Sequence, residues 1–540
     1  MKTILSFLAL LLLVPCPLHA ATLRLSNLFT DHTVLQRERP APVWGWADPG
    51  EAIRVEFAGQ TKSTAAGADG HWLVRFDPMP ASTEGRTLAV RAADQKCVIT
   101  DVLVGDVWLC TGQSNMGIPM NVPGNEVLQR AIREAGNPLL RLYQTSHQFP
   151  EQPAAETSGA WRLAEPATVR DLIAIGYLFG NRIQRETGVP IGIISAPMGG
   201  TWIENWLPRE VLDANPLNRP FIEKYEATLP KLPELIAKHE KELADFQKRF
   251  PTPRDLEEEN AARKARNEGP LAAPRAPVGP GHHNVPSACF NGKIAPLAPL
   301  AIKGVLWYQG EGNVWGFDAY PSQMADLMRS WRALFEQPAL PFIMTELAPF
   351  GEPSATPQDS PRARFGEALA KTAKADDHAW VITIVDGGDP LDIHPPKKEI
   401  PGERFAAMAL RKVYDISGIA HGPVLDSWKA EAGKAILKFT SVGSGLLVKD
   451  VDLGGHAVNA DRLQGFELAG EDRRFYRATA ELQGNDTVVL SAAEVPQPLA
   501  VRYAWAAFPL CNLFNQEGFA AYPFRTDDWP FPTPAEVGAR

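Results

Sequence analysis

"DVLVGDVWLCTGQSNMGIP", residues 101–119, runs almost unbroken through apolar residues and then places Ser114 between Gly112 and Gly117. A run of this kind reads as a strand buried on both faces, which belongs inside a parallel sheet covered by helices. Gly112 allows a sharp turn past the strand's carboxyl end. Ligands of open α/β sheets bind beyond that end, and hydrolases of this class present a nucleophile there. Taken alone, Gly-Gln-Ser is equally the sequence of an ordinary turn. The rest of the chain has to separate the two readings.

The same punctuation recurs downstream. "VPIGIISAP" (189–197), "KGVLWYQGE" (303–311), "PFIMTELA" (341–348) and "AWVITIVDGG" (379–388) are buried-strand runs, with helical spacing in "AIGYLFGNRIQRETG" (174–188) and "YPSQMADLMRSWRALFE" (320–336). Strands alternating with helices predict a parallel sheet with helices on both sides. Three of these strands are followed by polar groups suited to acyl transfer. Gly199 and Gly200 follow "IGIIS", and a glycine N–H with no side chain in the way can donate to an oxyanion. Gln309, Glu311 and Asn313 follow "GVLWY", where neutral amides suit an oxyanion or sugar hydroxyls. His394 follows "AWVITIVD" on a loop that Pro395 keeps out of helix. Asp392 and Asp389, two and five residues earlier, are the carboxylates that could hold its tautomer. Trp202, Trp206 and Trp315 lie beside these segments, either to stack on a sugar or to pack the loops.

Short alternating strands with Pro-Gly and Asp-Gly turns occupy residues 21–100, and a second such pattern occupies 421–510. These regions predict all-β, sandwich-like modules flanking an α/β unit over 101–420. Residues 511–540 read as a tail packing back on the core. Residues 216–284 interrupt the α/β order with charged helices and a Pro/Gly-rich stretch, predicting a solvated insertion or a lid. The four cysteines beyond the N-terminal segment, Cys97, Cys110, Cys289 and Cys511, have neither metal-ligand spacing nor disulfide-framework density.

A net charge of -9 over 540 residues argues against nucleic acid as a partner. The start, "MKTILSFLALLLLVPCPLHAATLRL", has one lysine, an apolar stretch and a small-residue site near Ala20–Ala21, the pattern of a cleavable secretory signal over residues 1–20. Export to the periplasm or the outside is therefore expected. No further segment is long and apolar enough to span a bilayer. No cofactor and no metal are expected.

The motifs "GQSNM", "GGTWIENW", "WYQGEGN" and "GDPLDIHPPKK", in this order, resemble those of the sialate O-acetylesterase family within the SGNH (GDSL-like) hydrolases. The opening "LFTDHTVLQRERPAPVWGWADPGE", the segment "FNGKIAPL" and the ending "VRYAWAAFPLCNLFNQEGFAAYPFRTDDW" extend the resemblance over nearly the whole chain. The resemblance implies an SGNH-like three-layer α/β fold. It also implies a serine carboxylesterase that removes O-acetyl groups from sugars, either sialates or xylan and other plant glycans. Ser114 then matches the nucleophile and His394 the general base. The N–H groups of Ser114 and the Gly199–Gly200 pair match the oxyanion donors, and Gln309 stands where the superfamily has its asparagine block. The superfamily places its acid three residues before the histidine, and here that residue is Leu391. Asp392 is the expected acid, with Asp389 or a Ser–His dyad as alternatives. The rival from another class is a glycan-binding protein on a catalytically dead scaffold, and a lipase-like hydrolase is a further one.

Overall fold

The computed structural model describes residues 23–531 apart from 267 and 270, so the signal-like segment over residues 1–20 lies outside the described residues. Its centre is a sheet whose strands we number along the chain. They are β1 (Gln95–Gly112), β2 (Asn137–Gln144), β3 (Trp161–Ala164), β4 (Ile191–Ser195), β5 (Gly304–Tyr308), β6 (Phe342–Thr345) and β7 (Ala379–Ile382). They lie side by side in the order β3-β2-β4-β1-β5-β6-β7. Only β3 runs antiparallel to its neighbour; the other pairings are parallel. Every residue of β4, β5 and β6 is buried, which is why these strands read as continuous apolar runs rather than alternating ones.

The register shows that the sheet is covered on both faces. Trp108 of β1 pairs with Gly304 of β5, and Trp307 lies three residues further along β5, so the two indoles point to opposite faces. Trp108 packs edge-on against Phe179 of helix α1 (Ala174–Thr187). Trp307 packs edge-on against Trp331 of helix α2 (Tyr320–Leu334). This is the three-layer α/β arrangement expected from the sequence. Helix α3 (Pro361–Lys374) joins the α2 layer, and α4 (Glu399–Lys412) joins the α1 layer.

The N-terminal β region is not separated from this sheet by a break at residue 100. Strand β1 begins at Gln95 and runs to Gly112; its first half pairs with Ser82–Ala92 and Val34–Gln36, its second half with β4 and β5. One continuous hydrophobic core accordingly extends from Leu23 to Ala420. A second core, built mostly from residues 435–521, belongs to the C-terminal β region. Leu513–Asn515 pairs with Leu446–Val448, and Phe524–Arg525 pairs with Ala500–Tyr503. Leu513–Asn515 and Phe524–Arg525 are thus strands of that β region, so this part of the segment read as a tail is built into its sheets. They also reach the α/β unit, through Tyr522 Oη donating to Val381 O at 2.6 Å and Arg525 pairing with Glu367 at 2.9 Å.

The charged segment forms helices Arg219–Glu226, Leu232–Arg249 and Pro253–Ala265, the first two with no buried residue. Its base touches the centre of the molecule through Phe221, whose ring lies 5.9 Å from that of Trp202. The four cysteines are free thiols. Among the described residues no helix is long and apolar enough to cross a membrane.

Candidate active site

The site forms where β1, β4, β5 and β7 end. Gly112 closes β1 at φ +124, and a Cβ there would collide with the carbonyl of Tyr308 at the end of β5. Only glycine admits both the backbone angle and this close approach. Gln113 then donates its N–H to Tyr308 O (2.8 Å), and its side-chain oxygen accepts from Gly310 N (3.0 Å), stitching the two strand ends together. A single helical turn, Ser114–Gly117, follows. Ser114 is half-buried at its start.

His394 arrives from the loop between β7 and α4. Its Nε2 stands 2.7 Å from Ser114 Oγ, across 280 residues of sequence. Asp392 accepts the main-chain N–H of His394 at 2.8 Å and places the same carboxylate oxygen 3.6 Å from His394 Nδ1. Asp389 accepts the N–H groups of Leu391 and Asp392, both at 2.9 Å, and so shapes the turn without reaching the imidazole. Of the two carboxylates only Asp392 faces the histidine.

Gly199 packs directly on the serine: a Cβ there would stand 3.3 Å from Ser114 Cβ. Ser114 N–H opens a helical turn, where no intrahelical acceptor exists. Neither it nor Gly199 N–H has an acceptor among the described residues. Gly200, at φ +69, turns the chain away.

The amides of Gln309 and Asn313 correct the sequence expectation. Both are buried and point inward. Gln309 Nε2 donates to Thr201 O (3.0 Å) and Asn313 Oδ1 (2.8 Å), while its oxygen accepts from Tyr320 Oη (2.7 Å). Asn313 donates to Glu204 (3.0 Å) and accepts from Ile203 N (2.9 Å). A buried amide is driven to satisfy its own donors and acceptors. These two do so by fixing residues 201–205, which directly follow Gly199 and Gly200, so both amides turn to the protein rather than to an oxyanion or a sugar. Glu311 likewise turns to protein: Oε1 accepts from Asn115 Nδ2 at 2.6 Å, and Oε2 is buried without a partner. Trp206 is fully buried and cannot meet a ligand, Trp202 is half-buried, and Trp315 is 75% exposed.

Two residues absent from the sequence-based site complete it. Asn115, next to the serine, is fully buried and donates to both Glu311 and the carbonyl of Ile393 (3.0 Å), the residue before His394. Lys398, at the foot of α4, is 1% exposed and donates to Asn115 Oδ1 at 2.6 Å. Burial pushes its ammonium down to about 8, against the opposing pull of Glu311, Asp392 and Glu399. Both lie inside the motifs "GQSNM" and "DIHPPKK", but only the fold shows that they touch.

Comparison with known proteins decides the family. The family profile described as carbohydrate esterase, sialic acid-specific acetylesterase, matches residues 104–237 and 291–384. A solved carbohydrate acetylesterase from Xanthomonas citri is 32% identical, with TM-score 0.75, over 94% of this chain and the whole of that one. The chain belongs to the sialic acid-specific family of carbohydrate esterases. It is a carbohydrate O-acetylesterase, a carboxylic ester hydrolase. Proteins named sialate O-acetylesterase are 25% identical in Mus musculus, over 90% of each chain, and 25% identical in Homo sapiens, over 77% of this chain and 76% of that one. The profile's gap begins within the exposed helix Leu232–Arg249 and takes in the whole of Pro253–Ala265; its match includes Ser114, Gly199 and Gln309 but ends ten residues before His394.

Proposed function

We propose that Ser114 is the nucleophile and His394 the general base of a two-step ester hydrolysis. The observation that carries this reading is the 2.7 Å contact between His394 Nε2 and Ser114 Oγ. His394 removes the hydroxyl proton as Oγ attacks the acetyl carbonyl. The tetrahedral oxyanion takes the N–H groups of Ser114 and Gly199, with Gly200 shaping the turn. Loss of one such donor typically costs about 2.7–4 kcal/mol in the barrier. As the intermediate collapses, His394 returns the proton to the departing sugar oxygen, leaving an acetyl-serine. Water, deprotonated by the same imidazole, attacks this ester and releases acetate. Asp392 is the residue that orients His394 and stabilises its cation.

The substrate assigned is O-acetylated sialic acid, in keeping with the family profile and the mammalian relatives. Acetylxylan or another acetylated plant glycan is the second reading. The exposed face of Trp315, two residues past Asn313, favours it, because a flat indole suits the face of an extended sugar chain. The enzyme is exported, either secreted or periplasmic, on the strength of residues 1–20. Two experiments test these assignments. A serine-directed fluorophosphonate should label the wild type and not Ser114→Ala; wild type left unlabelled refutes the nucleophile. Acetate release from O-acetylated sialic acid, acetylated xylan and an aryl acetate distinguishes the substrates.

A further inference from the structure

Lys398 is a buried cation that the reaction steps above do not use. Its ammonium lies 2.6 Å from Asn115 Oδ1. Asn115 in turn spends both amide hydrogens, one on Glu311 Oε1 at 2.6 Å and one on Ile393 O at 3.0 Å. The residue before the base and the residue after the nucleophile are therefore held by one amide, and that amide is oriented from behind by Lys398. An amide could be rotated to present either its oxygen or its nitrogen. Here the cation on one side and the carboxylate on the other leave a single favourable orientation, with oxygen toward Lys398 and nitrogen toward Glu311 and the His394 loop.

We propose that Lys398 is a positioning residue for the catalytic pair: its charge, opposed to that of Glu311 across Asn115, locks the amide that ties the Ser114 turn to the His394 loop. This rests on the assignment of Ser114 and His394 made above. A merely structural lysine would be costly at this place. Taking an ammonium out of water is expensive, and here the charge is set against Glu311, whose Oε2 is buried without a hydrogen-bond partner. The charged groups that face Lys398 are Glu311 from the loop after β5, Asp392 from the His394 loop and Glu399 from α4. None of them is within hydrogen-bond reach of Nζ; the 2.6 Å contact is to Asn115.

Burial also makes the charge removable at mild alkaline pH, since the ammonium is pushed down to about 8. Once Lys398 is neutral, Glu311 no longer has its opposite charge across Asn115, and the amide loses its enforced orientation. Nucleophilic reactivity of Ser114 should fall as pH rises through that range.

The test measures the rate of fluorophosphonate labelling of Ser114, together with kcat and KM on p-nitrophenyl acetate, in wild type and Lys398→Met. The expected result is labelling and kcat at least fivefold lower in Lys398→Met, with KM within twofold, measured at a temperature where both proteins are folded. Losses smaller than fivefold overturn the proposal. The pH profile supplies a second, independent measurement: wild-type labelling should fall at least threefold between pH 7 and 9.5, and Lys398→Met should lack that fall. Should Lys398→Met fail to fold, the wild-type profile decides alone, and a smaller fall or a rise across that range overturns the proposal. Wild type that does not label at Ser114 refutes the catalytic assignment itself and this inference with it. That outcome differs from equal rates in the two proteins, which refute only the role of Lys398.

Discussion

Asp392 holds the main-chain N–H of His394 at 2.8 Å while its carboxylate stays 3.6 Å from the imidazole Nδ1. The carboxylate is 59% exposed. It differs from a buried, hydrogen-bonded acid in two ways: solvent screens its charge, and the contact is longer than a hydrogen bond. Replacement of the acid in a buried triad costs about 10⁴ in kcat. Asp392→Asn should cost far less, about ten- to hundredfold, with the loop turn preserved because asparagine still accepts the His394 N–H. Steady-state kinetics on p-nitrophenyl acetate check this, and a loss of three powers of ten would mean that the carboxylate closes on Nδ1 during turnover.

Asp389 should behave differently although it sits on the same loop. Its Oδ1 accepts from Leu391 and Asp392 N–H, a task an asparagine oxygen performs equally well. Asp389→Asn is expected to keep activity within about threefold, whereas His394→Ala should remove at least three powers of ten. The two variants measured side by side separate turn-shaping from chemistry.

The C-terminal β region reaches the His394 loop directly. Gly454, at φ +59 in the turn between Val451–Leu453 and His456–Val458, faces Pro390; a Cβ there would stand 2.5 Å from Pro390 Cδ. Lys397 Nζ donates to Asp452 O at 2.6 Å. Gly454→Val should therefore push on residues 389–390 and lower kcat about tenfold or more. The core that spans residues 23–420 lies elsewhere, so the main thermal transition should move by only a few degrees. Calorimetry and kinetics on the same preparation test both halves of this expectation.

Glu346, buried just past β6, has its carboxyl pushed up to about 7 by desolvation, with Thr383 and Arg404 pulling the other way. A carboxyl whose folded value lies above its unfolded one contributes stability that is present below about pH 4.5 and is lost as pH rises through about 7. The window is worth about 3 kcal/mol at most by linkage. Glu346→Gln should flatten the dependence of stability on pH between about 5 and 7.5, read from urea midpoints at several pH values. An unchanged slope would show that Glu346 is ionised in the fold.

The segments that carry chemistry were legible in the sequence because each follows a buried strand, and a parallel sheet gathers all its strand ends on one side. That reasoning places Ser114, Gly199 and His394 on neighbouring loops without any coordinates. It fails at Gln309 and Asn313, since spacing says that an amide lies past a strand end and nothing about which way it faces. Their donors are drawn to Thr201 O and Glu204, and the two residues became scaffold. It also passes over Asn115 and Lys398, which look like an ordinary loop amide and an ordinary surface lysine.

The tight turn Ser114 stands on was legible at Gly112, and the structure gives the reason: only glycine tolerates that φ beside the Tyr308 carbonyl. Apolar runs and glycine turns are local properties, so the chain by itself determined which segments follow buried strands and the residue types on them. What only the tertiary structure decided is non-local. It brought His394 to Ser114 across 280 residues, turned Asp392 rather than Asp389 toward the imidazole, and buried Lys398 against Asn115. Burial is the physical reason. It makes each unpaired polar atom costly, and so selects among partners that in sequence stand equally near.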